Sequence, residues 1–572
     1  MARKSIAVVF AGSGGSGAMS AGAVFLRASA TAGYYGMMTQ LFGAQVRGGE
    51  SAALVQISTE PIETQPDHYD LFVALDWEKV EQFAAEIPLD ETSAIIADPE
   101  AGAVPAGIAK SKGRMVSLKM TDPHVSRLER ALHGKRVNMF AVGAVCALIG
   151  IDDQHVRSAI ENIFEGKAAD LIAANMNGAG AGAAAVPGLT LNLLLDPAVP
   201  AARWLISGNQ ALALGALRAG VRFVGCYPIT PATDLVEWLA PHLQKLGGRL
   251  VLGEDELASI NLTLGASYAG TPAMTVTSGP GFSLMVETLG LAVAAEIPMV
   301  LIDVMRAGPS TGIASKTEQS DVNLAIYGAH GDAPRVVLAP VSVADCINTA
   351  EYAVYVAESL QLPVIVLSDQ SIGQATTVID PGNERPKPLP RRTNGVVAGK
   401  AFKRYAIGPD PVTPMPAPGT AGYEWVAEGL THSEVGLPAS GAGIHVAQIN
   451  KRAKKLQKFD PGKYWGESWG RGEVAVLAFG STIGPAREAA RRLAVGGNPI
   501  RVIALRVLSP LPITAIARAL DGVRRIIVVE QNHSAQLYHH LIGQKAIPPS
   551  AESVARPGPL PYRPSEIASY IV

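Results

Sequence analysis

Short apolar runs alternate along the chain with segments in which small and apolar residues recur at helical spacing. The apolar runs predict strands at 5–10, 51–58, 68–75, 222–226, 273–277, 299–304, 363–368, 473–479, 500–505 and 525–529. The helical pattern is clearest at 18–32, at 208–220 before Gly220, and at 484–493. Regular alternation of strand and helix predicts an α/β, multidomain protein with doubly wound parallel sheets.

Changes in composition divide the chain into three predicted domains. The predicted domains are 1–185, 203–440 and 471–572, with linkers at 186–202 and 441–470. Residues 177–188 are almost wholly Ala and Gly, which predicts the start of a linker. Nine prolines between 381 and 418 predict an extended connector, and six in the last 25 residues predict a tail.

The composition is typical of an α/β enzyme with a buried apolar core. The chain has 572 residues, which suggests two to four domains, and 48% of them are apolar. A net charge of −2 gives no electrostatic footprint for nucleic acid or an anionic membrane. The apolar stretch Leu289–Met305 contains Glu296, Pro298 and Asp303, so it predicts helix, turn and strand instead of a membrane span. We therefore expect a cytoplasmic protein.

The three cysteines, Cys146, Cys226 and Cys346, are far apart and form no Cys-x-x-Cys pair. They predict small buried side chains, and the chain alone has too few cysteines for an iron–sulfur cluster.

Four motifs of the middle domain follow predicted strands, where doubly wound domains place their chemistry. They are Tyr-Pro-Ile-Thr-Pro at 227–231, Gly-Glu-Asp-Glu-Leu-Ala-Ser at 253–259, Thr-Ser-Gly-Pro-Gly at 277–281 and Arg-Ala-Gly-Pro-Ser-Thr-Gly at 306–312. The ordered set resembles the pyrimidine half of a thiamine diphosphate site. More narrowly, it is similar to the α subunit of 2-oxoacid:ferredoxin oxidoreductases.

This resemblance implies roles for particular residues. Thr230 would donate a hydrogen bond to a 2-oxoacid, and Arg306 would bind its 1-carboxylate. Glu256, preferred over Glu254, would place its carboxylate against the aminopyrimidine ring and drive the tautomer that removes the thiazolium C2 proton. The further substrate-binding candidates are Tyr227, Ile229, Thr311 and Ser315, and the further cofactor-binding candidates are Pro228, Ser278 and Gly279.

Simpler interpretations of these motifs stay open. The acids at 254–256 are also typical of a solvated first helical turn, and the 277–281 loop of a plain glycine turn. Lys316 fits a surface position at least as well as a substrate role. His533, in a segment that resembles the transketolase C-terminal domain, has no visible partner and is not expected to be catalytic.

The N-terminal loop Gly12–Gly17 matches Gly-x-Gly-x-x-Gly after a strand. A dinucleotide site also needs an acid about 20 residues later, and 32–49 contain neither Asp nor Glu. With Arg47-Gly-Gly, the loop instead resembles the γ domain of the same oxidoreductases. Binding of another anion and a purely structural turn both remain possible.

The chain has no Gly-Asp-Gly, the usual Mg²⁺–pyrophosphate motif; Gly331-Asp-Ala is nearest. The resemblance therefore implies a fused γ–α subunit holding half an active site. A β subunit would supply thiamine diphosphate, Mg²⁺ and a [4Fe-4S] cluster in an (αβ)2 assembly.

The implied reaction converts a 2-oxoacid, coenzyme A and oxidised ferredoxin to acyl-CoA, CO₂ and reduced ferredoxin. 2-Oxoglutarate is the favoured substrate, and pyruvate or a broad 2-oxoacid range is the alternative within the class. An NAD-binding dehydrogenase and a transketolase-like transferase are the alternatives from other classes.

Overall fold

The computed structural model describes residues 3–43, 49–120, 137–382, 387–391, 393 and 402–572. The chain forms two compact units. Unit 1 consists of Met1–Ser207, Gln374–Asn383 and Arg563–Ser565, and unit 2 of Gly208–Gly373, Glu384–Tyr562 and Glu566–Val572. These two units group the chain differently from the three predicted domains, so the three-domain division stays a prediction.

Strands and helices alternate through most of the described chain. The strands are β1 Ser5–Ser13, β2 Tyr35–Phe42, β3 Glu50–Ser58, β4 Leu71–Ala74, β5 Ala94–Ala97, β6 Arg114–Ser117, β7 Trp204–Ser207, β8 Phe223–Cys226, β9 Arg249–Leu252, β10 Ala273–Thr277, β11 Met299–Met305, β12 Val336–Leu338, β13 Pro363–Asp369, β14 Thr376–Ile379, β15 Gly466–Gly470, β16 Val474–Ala478, β17 Arg501–Leu505, β18 Val507–Ser509, β19 Arg525–Glu530 and β20 Glu552–Ala555. The helices are α1 Ala18–Thr31, α2 Ala106–Ala109, α3 Val137–Ile149, α4 Asp153–Ile163, α5 Ala169–Ala184, α6 Gly208–Arg218, α7 Thr233–Lys245, α8 Glu256–Tyr268, α9 Gly279–Ala294, α10 Val322–Tyr327, α11 Asp345–Leu360, α12 Gln370–Gln374, α13 Ala442–Gln457, α14 Ile483–Val495, α15 Ile513–Ala519, α16 Gln536–Gly543 and α17 Pro564–Ser569.

Unit 1 is built on an eight-stranded sheet in the order β6-β5-β4-β1-β3-β2-β14-β7. Strand β1 pairs in parallel with β4 and antiparallel with β3, so this sheet is mixed. Val8 and Phe10 of β1 pack into one core cluster, and Ala7 and Val9 pack into another on the opposite face. Burial of both faces explains why β1 reads as a continuous apolar run.

The prediction that residues 177–188 begin a linker is wrong, because α5 covers most of this segment. Helix α5 packs on α3 at their small residues. A Cβ added to Gly143 or Gly182 would overlap a backbone carbonyl of the facing helix. The Ala and Gly composition therefore reflects close helix packing, whereas residues 186–202 contain neither helix nor strand.

Unit 2 contains two sheets that share one core. The seven-stranded sheet has the order β18-β12-β13-β11-β10-β8-β9 and is parallel except for β18. The five-stranded sheet has the order β15-β17-β16-β19-β20 and is parallel except for β15. Leu301 and Ile365 of the first sheet belong to the same apolar cluster as Leu477 and Ile503 of the second. The α/β multidomain architecture expected from the sequence is confirmed.

The prediction of a linker at 441–470 is wrong, because this segment contains α13 and β15. Two lysines of helix α13 are buried against Glu296, which lies in the turn between α9 and β11. The Nζ atoms of Lys451 and Lys455 lie 2.5 and 2.6 Å from the nearest oxygen of the Glu296 carboxylate. The segment 441–470 therefore contributes to a buried ion-pair cluster that its polar composition did not indicate. All three cysteines are buried, as expected.

The C-terminal residues do not form a tail. Strand β20 pairs in parallel with β19, and Tyr562 is 2% exposed. Among the described residues, no helix combines the length and apolar character that crossing a bilayer requires.

Candidate active site

Strands β8, β10 and β11 are parallel neighbours, so their carboxyl ends share one edge of the seven-stranded sheet. The segments 227–231, 278–281 and 306–316 follow these strands directly. Three of the four sequence motifs thus begin at this edge, and the fourth follows β9, which pairs with β8. This is the edge at which open α/β sheets bind ligands.

Arg306 ties two of these segments together. Its side chain follows β11 and is 7% exposed. Nη1 donates to the carbonyl of Thr230 at 2.7 Å, and Nη2 donates to the carbonyl of Thr311 at 2.9 Å. Burial lowers the pKa of Arg306, while the nearby Asp321 and Asp303 carboxyls raise it.

The 227–231 segment exposes most of its side chains, although Pro231 is buried. Tyr227, Pro228 and Thr230 are exposed, and Ile229 is half-buried. From the buried side, Asn209 Nδ2 of α6 donates to the carbonyl of Pro231 at 2.9 Å. Asn209 was not predicted, because the α6 sequence gives no sign that one polar residue faces this segment.

The three acids at 254–256 have separate positions. Glu254 is exposed, and Asp255 caps α8 by accepting a hydrogen bond from the Ala258 N–H at 2.7 Å. Glu256 lies against Gly281: a Cβ on Gly281 would be 2.6 Å from Glu256 Cγ and 2.8 Å from Oε1. Of the three acids, Glu256 therefore contacts the 277–281 motif.

Ser278 and Gly279 begin α9 at the same edge. The Ser278 hydroxyl is buried and donates to the carbonyl of Val304 at 2.9 Å, which fixes the loop to β11. A Cβ on Gly279 would lie 2.8 Å from Oδ2 of Asp321. Absence of a side chain at 279 thus allows α9 to begin beside the Asp321 carboxylate.

The 307–316 segment folds back on itself. Ala307 N–H donates to the carbonyl of Lys316, and Ile313 N–H donates to that of Ala307, both at 2.9 Å. Gly312 has φ of 50°, and a Cβ there would overlap the Ala307 carbonyl. The fold leaves Thr311 exposed and Ser315 half-buried near the end of the loop.

Asp303 and Asp321, which act on Arg306, and Glu318, which acts on Asp321, were not predicted as site residues. Burial and the neighbouring Asp321 carboxylate raise the pKa of Asp303 well above its usual range. Burial raises the pKa of Asp321 to about 6 and also raises that of Glu318. The available signal was Asp303 itself, an acid inside an otherwise apolar strand.

Two other sequence candidates lie elsewhere. His533 is exposed after β19, and its charge acts on Glu318. In unit 1, Asp76 accepts hydrogen bonds from both the N–H and the hydroxyl of Ser13, at 2.9 and 2.8 Å, so these donors of the glycine loop have an internal partner. Arg47 lies outside the described residues.

Within the part of the chain that the structure describes, no group of three or more His, Cys, Asp or Glu side chains could hold a metal ion.

Family profiles match three parts of the chain. Residues 7–185 match "Pyruvate ferredoxin/flavodoxin oxidoreductase", 214–451 match "Pyruvate flavodoxin/ferredoxin oxidoreductase, thiamine diP-bdg", and 472–547 match "Pyruvate:ferredoxin oxidoreductase core domain II". The chain is 31% identical to the α subunit of 2-oxoacid:ferredoxin oxidoreductase 2 of Aeropyrum pernix, over 82% of this chain and 75% of that one. The chain belongs to the 2-oxoacid:ferredoxin oxidoreductase family, as an α subunit.

Other members of this oxidoreductase family are also similar over most of the chain. The 2-oxoglutarate oxidoreductase subunit KorA of Mycobacterium tuberculosis is 34% identical over 76% of this chain and 67% of its own length. The solved structure of 2-oxoglutarate:ferredoxin oxidoreductase from Magnetococcus marinus, with 2-oxoglutarate, coenzyme A and succinyl-CoA bound, has a TM-score of 0.89 and 34% identity. That alignment covers 100% of this chain and 99% of the other, and it confirms both the family and the fold class.

Proposed function

We propose that this α subunit takes part in the CoA-dependent oxidative decarboxylation of 2-oxoglutarate to succinyl-CoA and CO₂, with ferredoxin as electron acceptor. The observation that carries the proposal is that Thr230, Glu256 and Arg306 follow β8, β9 and β11 at the same edge of one sheet, where Arg306 donates a hydrogen bond to the Thr230 carbonyl. The relatives named for 2-oxoglutarate and the bound 2-oxoglutarate of the Magnetococcus marinus structure support this substrate.

The residues at this edge fit the pyrimidine end of thiamine diphosphate. Glu256 supplies a carboxylate beside Gly281, and the backbone of 278–281 carries only one side chain that bears a polar group, whose hydroxyl is already used. The pyrimidine ring would be lined by Pro228, Ser278 and Gly279. Glu256 would hold a proton at a nitrogen of this aminopyrimidine ring, or accept the proton from it. When bound, thiamine diphosphate supplies the carbanion-stabilising chemistry that decarboxylation of a 2-oxoacid needs.

Arg306 and Thr230 would bind the 1-carboxylate of the substrate. The Nη atoms of Arg306 each keep a second N–H after donating to Thr230 and Thr311, and the Thr230 side chain is exposed. A guanidinium can match two carboxylate oxygens, which orients the substrate. Tyr227, Ile229, Thr311 and Ser315 would complete the substrate pocket.

We further propose that a β subunit covers this edge and brings thiamine diphosphate, Mg²⁺ and a [4Fe-4S] cluster. Large apolar side chains on the elements that carry the site are exposed: Leu252 is 60%, Leu284 50%, Leu257 47% and Ile313 45% exposed. Apolar surface of this kind beside a half-complete site fits a protein partner. The proposed domains are the γ-type domain 1–185, the pyrimidine-type domain 203–440 and the transketolase-C-terminal-like domain 471–572.

The test is reconstitution of the chain with its β subunit. The purified complex should reduce ferredoxin only when 2-oxoglutarate and coenzyme A are both present, and mass spectrometry should detect succinyl-CoA. Pyruvate and 2-oxobutyrate are the comparison substrates, because relatives with a broad 2-oxoacid name are also similar to this chain. A cofactor-loaded complex that reduces ferredoxin with none of these acids would contradict the proposal. Equal rates with all three would favour the broad-range alternative.

A further inference from the structure

We propose that Asp303 and Asp321 form a carboxyl pair that shares one proton and positions Arg306 for the substrate carboxylate. Both acids are therefore positioning residues. This role rests on the proposed function of Arg306, but the protonation of the pair does not.

Asp303 lies in the middle of β11, where a charge is least expected. Leu301 and Met305, two residues to either side, pack with Phe282 and Met285 of α9, so Asp303 faces the same helix. The residue is fully buried, and neither carboxyl oxygen accepts a hydrogen bond from any described donor. An isolated carboxylate there would lose its hydration without gaining a partner, so the neutral acid is favoured.

Asp321 has the surroundings of an ionised carboxylate. It lies beside Gly279, the first residue of α9, whose N-terminal end carries a partial positive charge. Arg306 also attracts it electrostatically. Its Oδ2 atom is buried, and no N–H or hydroxyl group of the described residues donates a hydrogen bond to it.

The two carboxyl groups are within hydrogen-bonding reach of each other. A hydrogen bond between carboxyl groups requires a proton, and the environments assign that proton to Asp303, which donates its O–H to Asp321. Arg306 and Glu318 are the other charged groups that act on the pair. At neutral pH the single negative charge of the pair then balances the single positive charge of Arg306.

This arrangement gives Arg306 a counter-charge in addition to its two backbone acceptors. With Asp321 ionised, the guanidinium is oriented while its remaining N–H groups stay available. Protonation of Asp321, whose pKa burial raises to about 6, removes the counter-charge as the pH falls through that value. Loss of the ionised form should therefore lower kcat/KM on the acid side.

Protonation of the pair can be tested without activity. Infrared spectra of the wild-type chain and of Asp303→Asn are compared at pH 7.5, and the difference should contain the carbonyl band of one protonated carboxylic acid. Asp332→Asn, a change at an exposed acid, should give no such band. If the wild type has no carboxylic acid band that Asp303→Asn removes, the shared proton does not exist and the proposal is wrong.

Positioning is tested in the reconstituted complex. Asp321→Asn should lower kcat/KM for 2-oxoglutarate at least about tenfold and abolish the acid limb near pH 6, because Arg306 is no longer held in place. Asp303→Asn keeps an N–H donor to Asp321, so its loss should be about threefold or less, with the limb retained. A general loss of folding would lower kcat in both variants and leave the shape of the pH profile unchanged.

The outcomes also separate this proposal from the proposed function. A wild-type complex without 2-oxoacid activity but with the infrared band overturns the function and leaves the carboxyl pair standing. An active complex in which Asp303→Asn is damaged as severely as Asp321→Asn, or in which Asp321→Asn retains the acid limb, overturns the positioning role.

Discussion

Replacement of Arg306 by alanine is the most informative perturbation of the site. The substitution removes the hydrogen bonds to the carbonyls of Thr230 and Thr311 and leaves Asp321 without its cation. All 2-oxoacids share the 1-carboxylate that Arg306 would bind. We therefore expect every 2-oxoacid to lose catalytic efficiency to a similar degree.

The magnitude follows from the burial of the side chain. Arg306 is 7% exposed, so the substrate carboxylate would meet it away from bulk water. Truncating one member of such a charge pair costs on the order of 2–5 kcal/mol, which corresponds to a fall in kcat/KM of at least about 30-fold. Arg306→Lys should recover only part of this loss, because an ammonium group cannot donate to two carbonyls and a carboxylate in one plane.

The assay compares 2-oxoglutarate with 2-oxobutyrate in the reconstituted complex. Arg222→Ala is the matched control, since Arg222 also donates to two backbone carbonyls, those of Leu217 and Val221, but precedes β8 at the opposite end of that strand. Thermal unfolding of each variant separates lost stability from lost binding. If Arg306→Ala affects 2-oxoglutarate alone, the residue reads the distal carboxylate and our substrate orientation is reversed. If neither acid is affected, Arg306 only joins the two loops.

Three further predictions concern the cofactor, the partner and pH. Glu256→Ala should slow hydrogen–deuterium exchange at the thiamine C2 about tenfold or more, whereas Glu254→Ala should not, and the reverse result would assign the role to Glu254. The chain purified without a β subunit should bind neither thiamine diphosphate nor an iron–sulfur cluster, which calorimetry and iron analysis can check. Burial lowers the pKa of Lys455 to about 7 from its usual 10.5. Between these two pH values Lys455 carries a proton in the unfolded chain but not in the folded one. Stability, measured as the midpoint of urea unfolding, should therefore rise with pH across this range. Lys455→Met should reduce this slope, Lys454→Met, an exposed control, should not, and equal slopes in all three proteins would refute the assignment.

Much of unit 2 could be predicted because its signals are local. Strands β8, β10, β11 and β13 are apolar runs that differ from the predicted bounds by at most one residue, and the four motifs follow strand ends. Their meeting at one edge follows from parallel pairing alone. The short strands β9, β12 and β18 were missed, because a run of three or four residues carries little periodicity.

Errors about the linker segments came from composition. Residues 177–188 looked like a flexible linker, since Ala and Gly bury little surface individually. In α5 these residues allow the backbones of two helices to approach, which only the partner α3 reveals. Likewise, β18 lies in the predicted third domain but pairs with β12 of the second, so chain position alone could not place it.

The surroundings of Glu296 and Asp303 could not be predicted from the neighbouring sequence, because the partners of buried charged groups can lie far away along the chain. Glu296 and Asp303 both interrupt the apolar stretch Leu289–Met305, where they argued only against a membrane span. A buried carboxylate is stable only with a partner or a proton. Glu296 has two lysine partners about 155 residues away, in a polar segment that looked like a linker, while Asp303 has another carboxyl group. A buried acid inside an apolar stretch therefore indicates either that a distant polar segment packs against it, as for Glu296, or that the acid is protonated, as we propose for Asp303.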